Sequence, residues 1–105
     1  MRRYRRAMTM LLTERELATH LPHLNGWHGD SSALERTVAA KDFPTAIKLV
    51  DHVALVAEEL DHHPDMDIRW REVTFRCTTH SAGGVTGKDI ELIERINELV
   101  DALES

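Results

Sequence analysis

Apolar residues recur at helical spacing in three stretches of the chain, and each stretch opens with a recognisable helix start. A capping-box sequence, Thr13–Glu16, opens the first, Pro44 suits the first turn of the second, and Thr86–Asp89 can cap the third. Residues that repeat every three or four positions share one helix face and bury it against a core. The sequence therefore predicts three amphipathic helices with apolar positions at Leu17 and Leu21, at Ile47, Val50, Val53, Ala54, Ala57 and Leu60, and at Ile90, Ile93, Ile96, Leu99, Val100 and Leu103.

Two further stretches alternate between apolar and polar residues with the period of a β-strand. The stretch from Gly26 to Phe43 predicts a first hairpin that carries Trp27. In the second hairpin, a turn at Arg71–Glu72 would place one set of apolar side chains on a single face, as the pairs Trp70 with Val73, Ile68 with Phe75 and Met66 with Cys77. The element order α-β-β-α-β-β-α favours an α+β fold, in which three helices pack on one face of a four-stranded antiparallel sheet.

Length and composition indicate one compact domain. The 105 residues, 42% of them hydrophobic, suffice for a modest core. We expect the domain to span residues 12–105 and to follow a flexible basic arm at residues 1–11. No segment approaches the roughly 20 apolar residues of a membrane span, and the arm lacks the apolar stretch of a secretory signal.

Charge and cysteine content narrow the possible binding partners and the expected cellular compartment. The formal net charge of -5 opposes nonspecific nucleic-acid binding, which requires a positive field. The single cysteine, Cys77, cannot form an intramolecular disulfide and falls in an apolar strand pattern, so we interpret it as a small core residue. We therefore expect a cytoplasmic protein that binds neither nucleic acid nor membrane.

The main chemical signal is a group of histidines near the predicted end of the second helix. His62 and His63 precede Pro64, and His80 follows the second hairpin. Because a residue before proline is pushed out of the helical conformation, His63 should be extended while His62 lies at or next to the last turn. Glu58, four residues before His62, would share its helix face and orient the ring. Imidazoles exchange protons near neutral pH, and the negative end of the helix makes His62 a candidate general acid.

The order and spacing of these residues resemble a known family. The set resembles the signature of the pterin-4a-carbinolamine dehydratases in these segments: Gly26-Trp27, Lys41-Asp42-Phe43, Glu58-x-x-x-His62-His63-Pro64, Trp70, and Thr79-His80-x-x-x-Gly84-Val85-Thr86-x-x-Asp89. Met66 departs from the pattern, since family members often carry an aromatic residue there. The resemblance implies the same four-stranded sheet with three helices, assembled into homodimers or homotetramers.

The resemblance also implies a reaction and a set of site residues. The reaction is loss of water from a 4a-hydroxytetrahydropterin to give a quinonoid dihydropterin, in tetrahydrobiopterin recycling and with a functional link to an aromatic amino-acid hydroxylase. His62 and His80 would act as acid and base in an order that stays open, while His63 binds the pterin or assists proton transfer. Glu58 would tune His62, and Asp89 would position the His80 loop. Further substrate contacts are expected from Trp27, which also suits a packing role, and from Asp61, Thr79 and Ser81.

Proton transfer alone completes this elimination, so no metal or cofactor is expected. Two other functions remain open. Glu58, His62 and His80 supply a carboxylate and two imidazoles, which is also a ligand set for a metal hydrolase. Animal members of the family also act as dimerisation cofactors of a homeodomain transcription factor. A noncatalytic interaction protein of the same fold is therefore the third candidate.

Overall fold

The computed structural model of the protein describes residues 8–104. These residues form three α-helices and four β-strands in the predicted order α-β-β-α-β-β-α. Of the predicted arm, residues 1–7 lie outside the described part, and Leu11 forms an isolated β-bridge to Thr86. The elements are the helices α1 (Glu14–His20), α2 (Phe43–Leu60) and α3 (Gly87–Glu104), the strands β1 (His28–Asp30), β2 (Ala33–Ala39), β3 (Asp65–Arg69) and β4 (Glu72–Cys77), and the 3₁₀ turns Leu21–His23 and His80–Ala82.

The first two helices begin at side chains that satisfy their free N–H groups. The predicted capping box of α1 is complete, because Glu16 N–H donates to Thr13 Oγ1 (3.1 Å) and Thr13 N–H donates to Glu16 Oε1 (2.9 Å). Asp42 caps α2 by accepting from Thr45 N–H at 2.8 Å, and hydrogen bonding from Thr45 lowers the pKa of the Asp42 carboxyl. In the described part of the chain, no helix combines the length and the apolar character that crossing a membrane requires.

The strands form one antiparallel sheet in the order β1-β2-β4-β3. The two hairpins meet along β2 and β4, where Leu34 pairs with Cys77 and Val38 with Val73. The inward faces of these central strands and the apolar faces of the helices belong to one core cluster, which confirms the predicted α+β architecture. Its fully buried large side chains include Leu17, Leu34, Leu49, Val53, Val73, Phe75, Leu92, Ile93, Ile96 and Val100.

The second hairpin turns one residue earlier than predicted. Trp70 and Arg71 form the turn, and Ile68 pairs with Val73. Glu72 cannot belong to the turn because it pairs with strand residues on both sides, Ala39 and Arg69. The pairing shifts by two residues, which keeps the alternation of faces. Trp70 therefore leaves the predicted core face: its backbone has φ 55°, its side chain is 72% exposed, and the Arg71 guanidinium lies 5.3 Å from its ring centroid.

Cys77 is a core residue, as the strand pattern predicts. It is fully buried on β4, opposite Leu34 of β2. Burial raises the pKa of its thiol far above the ordinary value, and the nearby carboxylates of Asp89 and Asp65 act in the same direction. The thiol therefore stays protonated and has no nucleophilic role at neutral pH.

Two residues on the same face of the second hairpin are predicted to contribute unequally to stability, because Phe75 lies on a central strand and Ile68 on the edge strand. Phe75 is fully buried, whereas Ile68 is 40% exposed on the edge strand. Replacing Phe75 by Ala should lower the free energy of unfolding by about 3–5 kcal/mol, because it removes a ring from a closed core. Replacing Ile68 by Ala should cost less than about 1 kcal/mol in the isolated chain, because solvent already reaches that side chain. Urea denaturation followed by circular dichroism measures both, and equal losses would contradict this difference in burial between the central and the edge strand.

Candidate active site

The end of α2 directs two adjacent histidines away from the helix. Asp61 has left-handed backbone angles, φ 51° and ψ 44°. Its N–H donates to the carbonyl of Glu58, and the N–H of His62 donates to the carbonyl of Ala57, at 3.3 and 3.0 Å. This pair of hydrogen bonds is a Schellman motif, which glycine usually completes because a side chain in this conformation costs about 1 kcal/mol. The helix therefore stops before His62, as the following Pro64 indicates, and the turn carries the ring towards α3.

His62 contacts the buried carboxylate of Asp89. His62 Nε2 lies 2.6 Å from Asp89 Oδ1, and the two side chains are 11% and 0% exposed. Because a carboxylate oxygen only accepts hydrogen bonds, this contact places a proton on Nε2. The other ring nitrogen, Nδ1, is then the atom that can exchange a proton with a ligand.

A short chain of hydrogen bonds holds Asp89 in place. Asp89 Oδ2 accepts from Thr79 Oγ1 at 2.7 Å and from Thr86 N–H at 2.9 Å. The single hydroxyl proton of Thr79 is used there, so Thr86 Oγ1 must be the donor in its 2.8 Å contact with Thr79 Oγ1. Thr86 Oγ1 in turn accepts from Lys88 N–H at 3.2 Å. The residues predicted to cap α3 therefore form a buried network that fixes the acceptor of His62.

The predicted pairing of Glu58 with His62 is not formed. Glu58 Oε2 lies 2.5 Å from His63 Nε2 instead, because the left-handed turn at Asp61 moves His62 off the helix face that Glu58 occupies. Asp89 contacts His62 directly, and it also holds Thr79 at the base of the His80 loop, the loop that the sequence predicted it to position. The side chains of Glu58 and His63 are 76% and 57% exposed, so their ion pair contributes at most about 1 kcal/mol.

His80 reaches the same region from the end of β4. The loop that carries it is closed by a bridge between Thr79 and Gly84, where Thr79 N–H donates to the Gly84 carbonyl at 2.9 Å. Gly84 passes close to the backbone of Ser31: a Cβ there would lie 2.6 Å from the Ser31 carbonyl oxygen. Only glycine fits this approach, which seats the loop against the β1–β2 turn and leaves the His80 side chain exposed.

These elements enclose an open cleft of about 270 Å³, called here the histidine cleft, which is lined by Asp61, His62, His63, Thr78, Thr79, His80, Ser81 and Lys88. Six of these eight residues were predicted as site residues from the sequence. Thr78 and Lys88 were not predicted. They are the sequence neighbours of Thr79 and Asp89, so both could be inferred as lining residues once the contact between the Thr79 and Asp89 side chains is known. The carboxylates of Glu58 and Asp89 contact the histidines from positions outside this lining.

Trp27 is not among the residues that line the histidine cleft. Its side chain is buried, and its indole N–H donates to Asn97 Oδ1 of α3 at 2.8 Å. Arg36 Nη1–H donates to the same oxygen at 2.6 Å, so Asn97 ties β2 and the loop before β1 to α3. The structure thus gives Trp27 a packing role.

The structure does not bring together the carboxylate and two imidazoles that were considered as metal ligands. Glu58 lies against His63, while His62 lies against Asp89. In residues 8–104, no group of three His, Cys, Asp or Glu side chains is arranged to hold a metal ion.

Comparison with known proteins assigns the chain to a family. Residues 10–99 match the family model described as pterin 4 alpha carbinolamine dehydratase. A relative from Nocardia farcinica is 54% identical over 91 residues, covering 87% of this chain and 96% of its own length. Another from Roseiflexus castenholzii is 44% identical over 93 residues, covering 89% and 100%. Both carry the provisional name pterin-4-alpha-carbinolamine dehydratase. The chain belongs to this family, whose name describes a hydro-lyase.

Solved structures agree with this assignment. A Brucella melitensis protein described as a transcriptional coactivator/pterin dehydratase superposes with a TM-score of 0.82 at 37% identity, covering 85% of this chain and 97% of that one. A pterin dehydratase-like protein identified as a RuBisCO assembly factor in the alpha-carboxysome has a TM-score of 0.58 at 17% identity, covering 70% and 86%. The second likeness shows the fold alone.

The contact between His62 and Asp89 predicts that Asp89→Asn changes which nitrogen of His62 carries the proton. The Asn carbonyl oxygen can still accept from Thr79 and Thr86, which turns its amide nitrogen towards His62 Nε2. Because an amide nitrogen donates, His62 must then accept at Nε2 and carry its proton on Nδ1. We expect ¹⁵N NMR of the imidazole nitrogens to show Nε2–H in the wild-type protein and Nδ1–H in the variant.

Glu58→Gln is the matched control for this experiment, because Glu58 contacts His63. It should leave the His62 tautomer as it is in the wild-type protein. Finding the same His62 tautomer in wild type and Asp89→Asn would contradict the orienting role of Asp89.

Proposed function

We propose that the protein dehydrates a 4a-hydroxytetrahydropterin to a quinonoid dihydropterin. The observation that carries the proposal is that two independent elements, the end of α2 and the end of β4, bring three imidazoles to one open cleft. Family membership supplies the substrate class, since the relatives' names specify a pterin carbinolamine. An open, polar cleft suits a planar, polar heterocycle that must enter and leave.

The proposed reaction transfers two protons. The hydroxyl oxygen on C4a takes up a proton and departs as water, the proton on N5 is removed, and the N5 electron pair forms the C4a=N5 double bond. General acid and base catalysis of such a step each contribute about 10²–10⁴-fold. The two proton transfers balance all atoms and charges of this scheme. We therefore propose that no metal or cofactor takes part.

The geometry favours one assignment of the two proton-transfer roles. Since Nε2–H of His62 is held by Asp89, neutral His62 presents a lone pair at Nδ1 and suits the base that removes the N5 proton. His80, exposed in the loop after β4, then supplies the proton to the departing hydroxyl. His63, exposed beside Glu58, would orient the pterin or assist proton exchange with solvent. Asp61, Thr79 and Ser81 are proposed as substrate contacts from the lining, although the hydroxyl proton of Thr79 is already given to Asp89.

Replacing His62 or His80 by Ala should reduce the catalysed rate of 4a-carbinolamine dehydration by about 10²-fold or more, because each change removes one proton-transfer group. His63→Ala should reduce it less, since His63 is assigned an assisting role. The rate of quinonoid dihydropterin formation, corrected for the reaction without protein, is the measurement. His52→Ala is the control: His52 is exposed on α2 and does not line the histidine cleft, so its replacement should have no effect. Full activity in all three histidine variants would refute the proposed function.

We also propose that the protein acts on a pterin in the cytoplasm and that its reaction serves an aromatic amino-acid hydroxylase.

We propose further that the chain assembles into homodimers or homotetramers. Exposed apolar side chains support self-association, with Leu55 of α2 68% exposed and Ile68 of the edge strand β3 40% exposed. Analytical ultracentrifugation should give two or four times the 12.0 kDa chain mass, and Leu55→Glu or Ile68→Glu should lower it. A monomer at all concentrations would contradict the proposed assembly and leave the proposed chemistry unaffected.

A further inference from the structure

A second and larger cleft lies at the other end of the sheet. It has a volume of about 330 Å³ and is called here the distal cleft, lined by Val38, Ala39, Ala40, Lys41, Thr45, Leu49, Arg71, Val100 and Leu103. Its walls are mainly aliphatic, from β2, α2 and α3, whereas the histidine cleft is lined by polar side chains. A volume near 300 Å³, apolar walls and a few polar groups are the ordinary features of a small-molecule site.

The polar side chains of the distal cleft include two cations. Arg71 is held in place by two contacts: its Nη1–H donates to the Ala40 carbonyl at 2.9 Å, and its guanidinium lies over the Trp70 ring. A guanidinium has five N–H donors, so most of them remain for a ligand. Lys41 supplies the second positive charge. The neighbouring carboxylate of Asp42 accepts a hydrogen bond from Thr45 N–H and is not part of the lining, so the ionised side chains that line the cleft are both positive.

The two clefts are separated by the length of β4. This strand begins next to Arg71 and ends next to Thr78, a residue of the histidine cleft. At about 3.3 Å per residue, the two sites lie about 20 Å apart. A molecule of distal-cleft size cannot reach the histidines, so occupancy of the distal cleft is a separate property from pterin chemistry.

We propose that the distal cleft binds a small amphipathic carboxylate, with an aromatic or short aliphatic body against Leu49, Val100 and Leu103 and its carboxylate between Lys41 and Arg71. Apolar walls favour the hydrocarbon body, and the two cations select an anion over a neutral or cationic molecule of the same shape. Because the cleft is open to solvent, a dissociation constant on the order of 0.1–1 mM is expected for a simple probe. The charge contribution weakens with added salt, since exposed ion pairs are screened.

The test uses 3-phenylpropionate as the probe and the neutral 3-phenylpropionamide as its isosteric comparison, added to the full-length ¹⁵N-labelled protein. We expect amide shifts to change around Ala40, Thr45, Arg71 and Val100 and not around His62 and His80. The amide should bind about tenfold more weakly, the loss that accompanies one charge-assisted hydrogen bond. Added NaCl should weaken binding of the carboxylate and leave binding of the amide unchanged.

Variants locate the site independently of the shift map. Lys41→Gln and Arg71→Gln should each weaken binding of 3-phenylpropionate about tenfold, while Arg71→Lys, which keeps the charge, should retain most of it. Arg69→Gln and Lys48→Gln are matched controls, because each removes one positive charge from a nearby residue that does not line the distal cleft. Dehydratase activity should be unchanged in all five variants.

Any of these results would overturn the proposal: no shift changes at high probe concentration, equal affinity for the acid and the amide, or shift changes centred on the histidine cleft. Loss of binding in the control variants to the same extent as in Lys41→Gln would also overturn it, since this would show attraction by the overall charge. Failure of the dehydratase assay would leave the outcome of this test unaffected, because the two measurements concern different ends of the sheet.

Discussion

The carboxylate of Asp89 is the constraint on which the geometry of the site depends. It is fully buried and receives hydrogen bonds from three separate places: the residue before α3, the end of β4 and the turn after α2. A buried charge without such partners would cost several kcal/mol, so these contacts favour the packing of α2, β4 and α3 that delivers the three donors together. The same contacts therefore serve both packing and site geometry. The hydrogen bonds that Asp89 accepts also fix the positions of His62, of Thr79 and of the base of the His80 loop.

This constraint makes two adjacent histidines chemically different. The left-handed turn at Asp61 sends the ring of His62 inwards to a rigid, buried carboxylate, whereas His63 meets the exposed Glu58. A fixed partner holds one tautomer and one ring orientation, while an exposed pair exchanges freely with water. The sequence His-His therefore yields one ring held in a fixed orientation and one exposed ring, and the strain at Asp61 is the local cost of separating them.

The fold followed from the sequence because its signals are local and repeated: helical spacing, strand alternation and capping residues each act within a few positions. The site followed only in part. The corner at His62 was predictable from Pro64, but the partner of His62 depends on how α3 packs against α2, which no short-range pattern specifies. The predicted turn at Arg71–Glu72 was wrong for the same reason, because the pairing of Glu72 with Ala39 of a distant strand decides where the hairpin turns. Trp27 suited either a packing role or a ligand contact on sequence alone, and its long-range bond to Asn97 gives it the packing role.

The two ends of α3 explain why the clefts at the two ends of the sheet differ. At the first turn of α3, the positive end of the helix dipole and its free N–H groups favour a buried carboxylate, which in turn attracts the imidazole of His62. The last turns of α3 carry no free N–H groups, and Val100 and Leu103 contribute aliphatic wall there. The buried carboxylate and the imidazoles therefore lie at one end of the domain, whereas the other end presents mainly aliphatic walls with the two cations of Lys41 and Arg71. The two ends of this helix thus contribute differently to the two clefts: its first turn supplies the buried carboxylate beside the histidine cleft, and its last turns supply part of the aliphatic wall of the distal cleft.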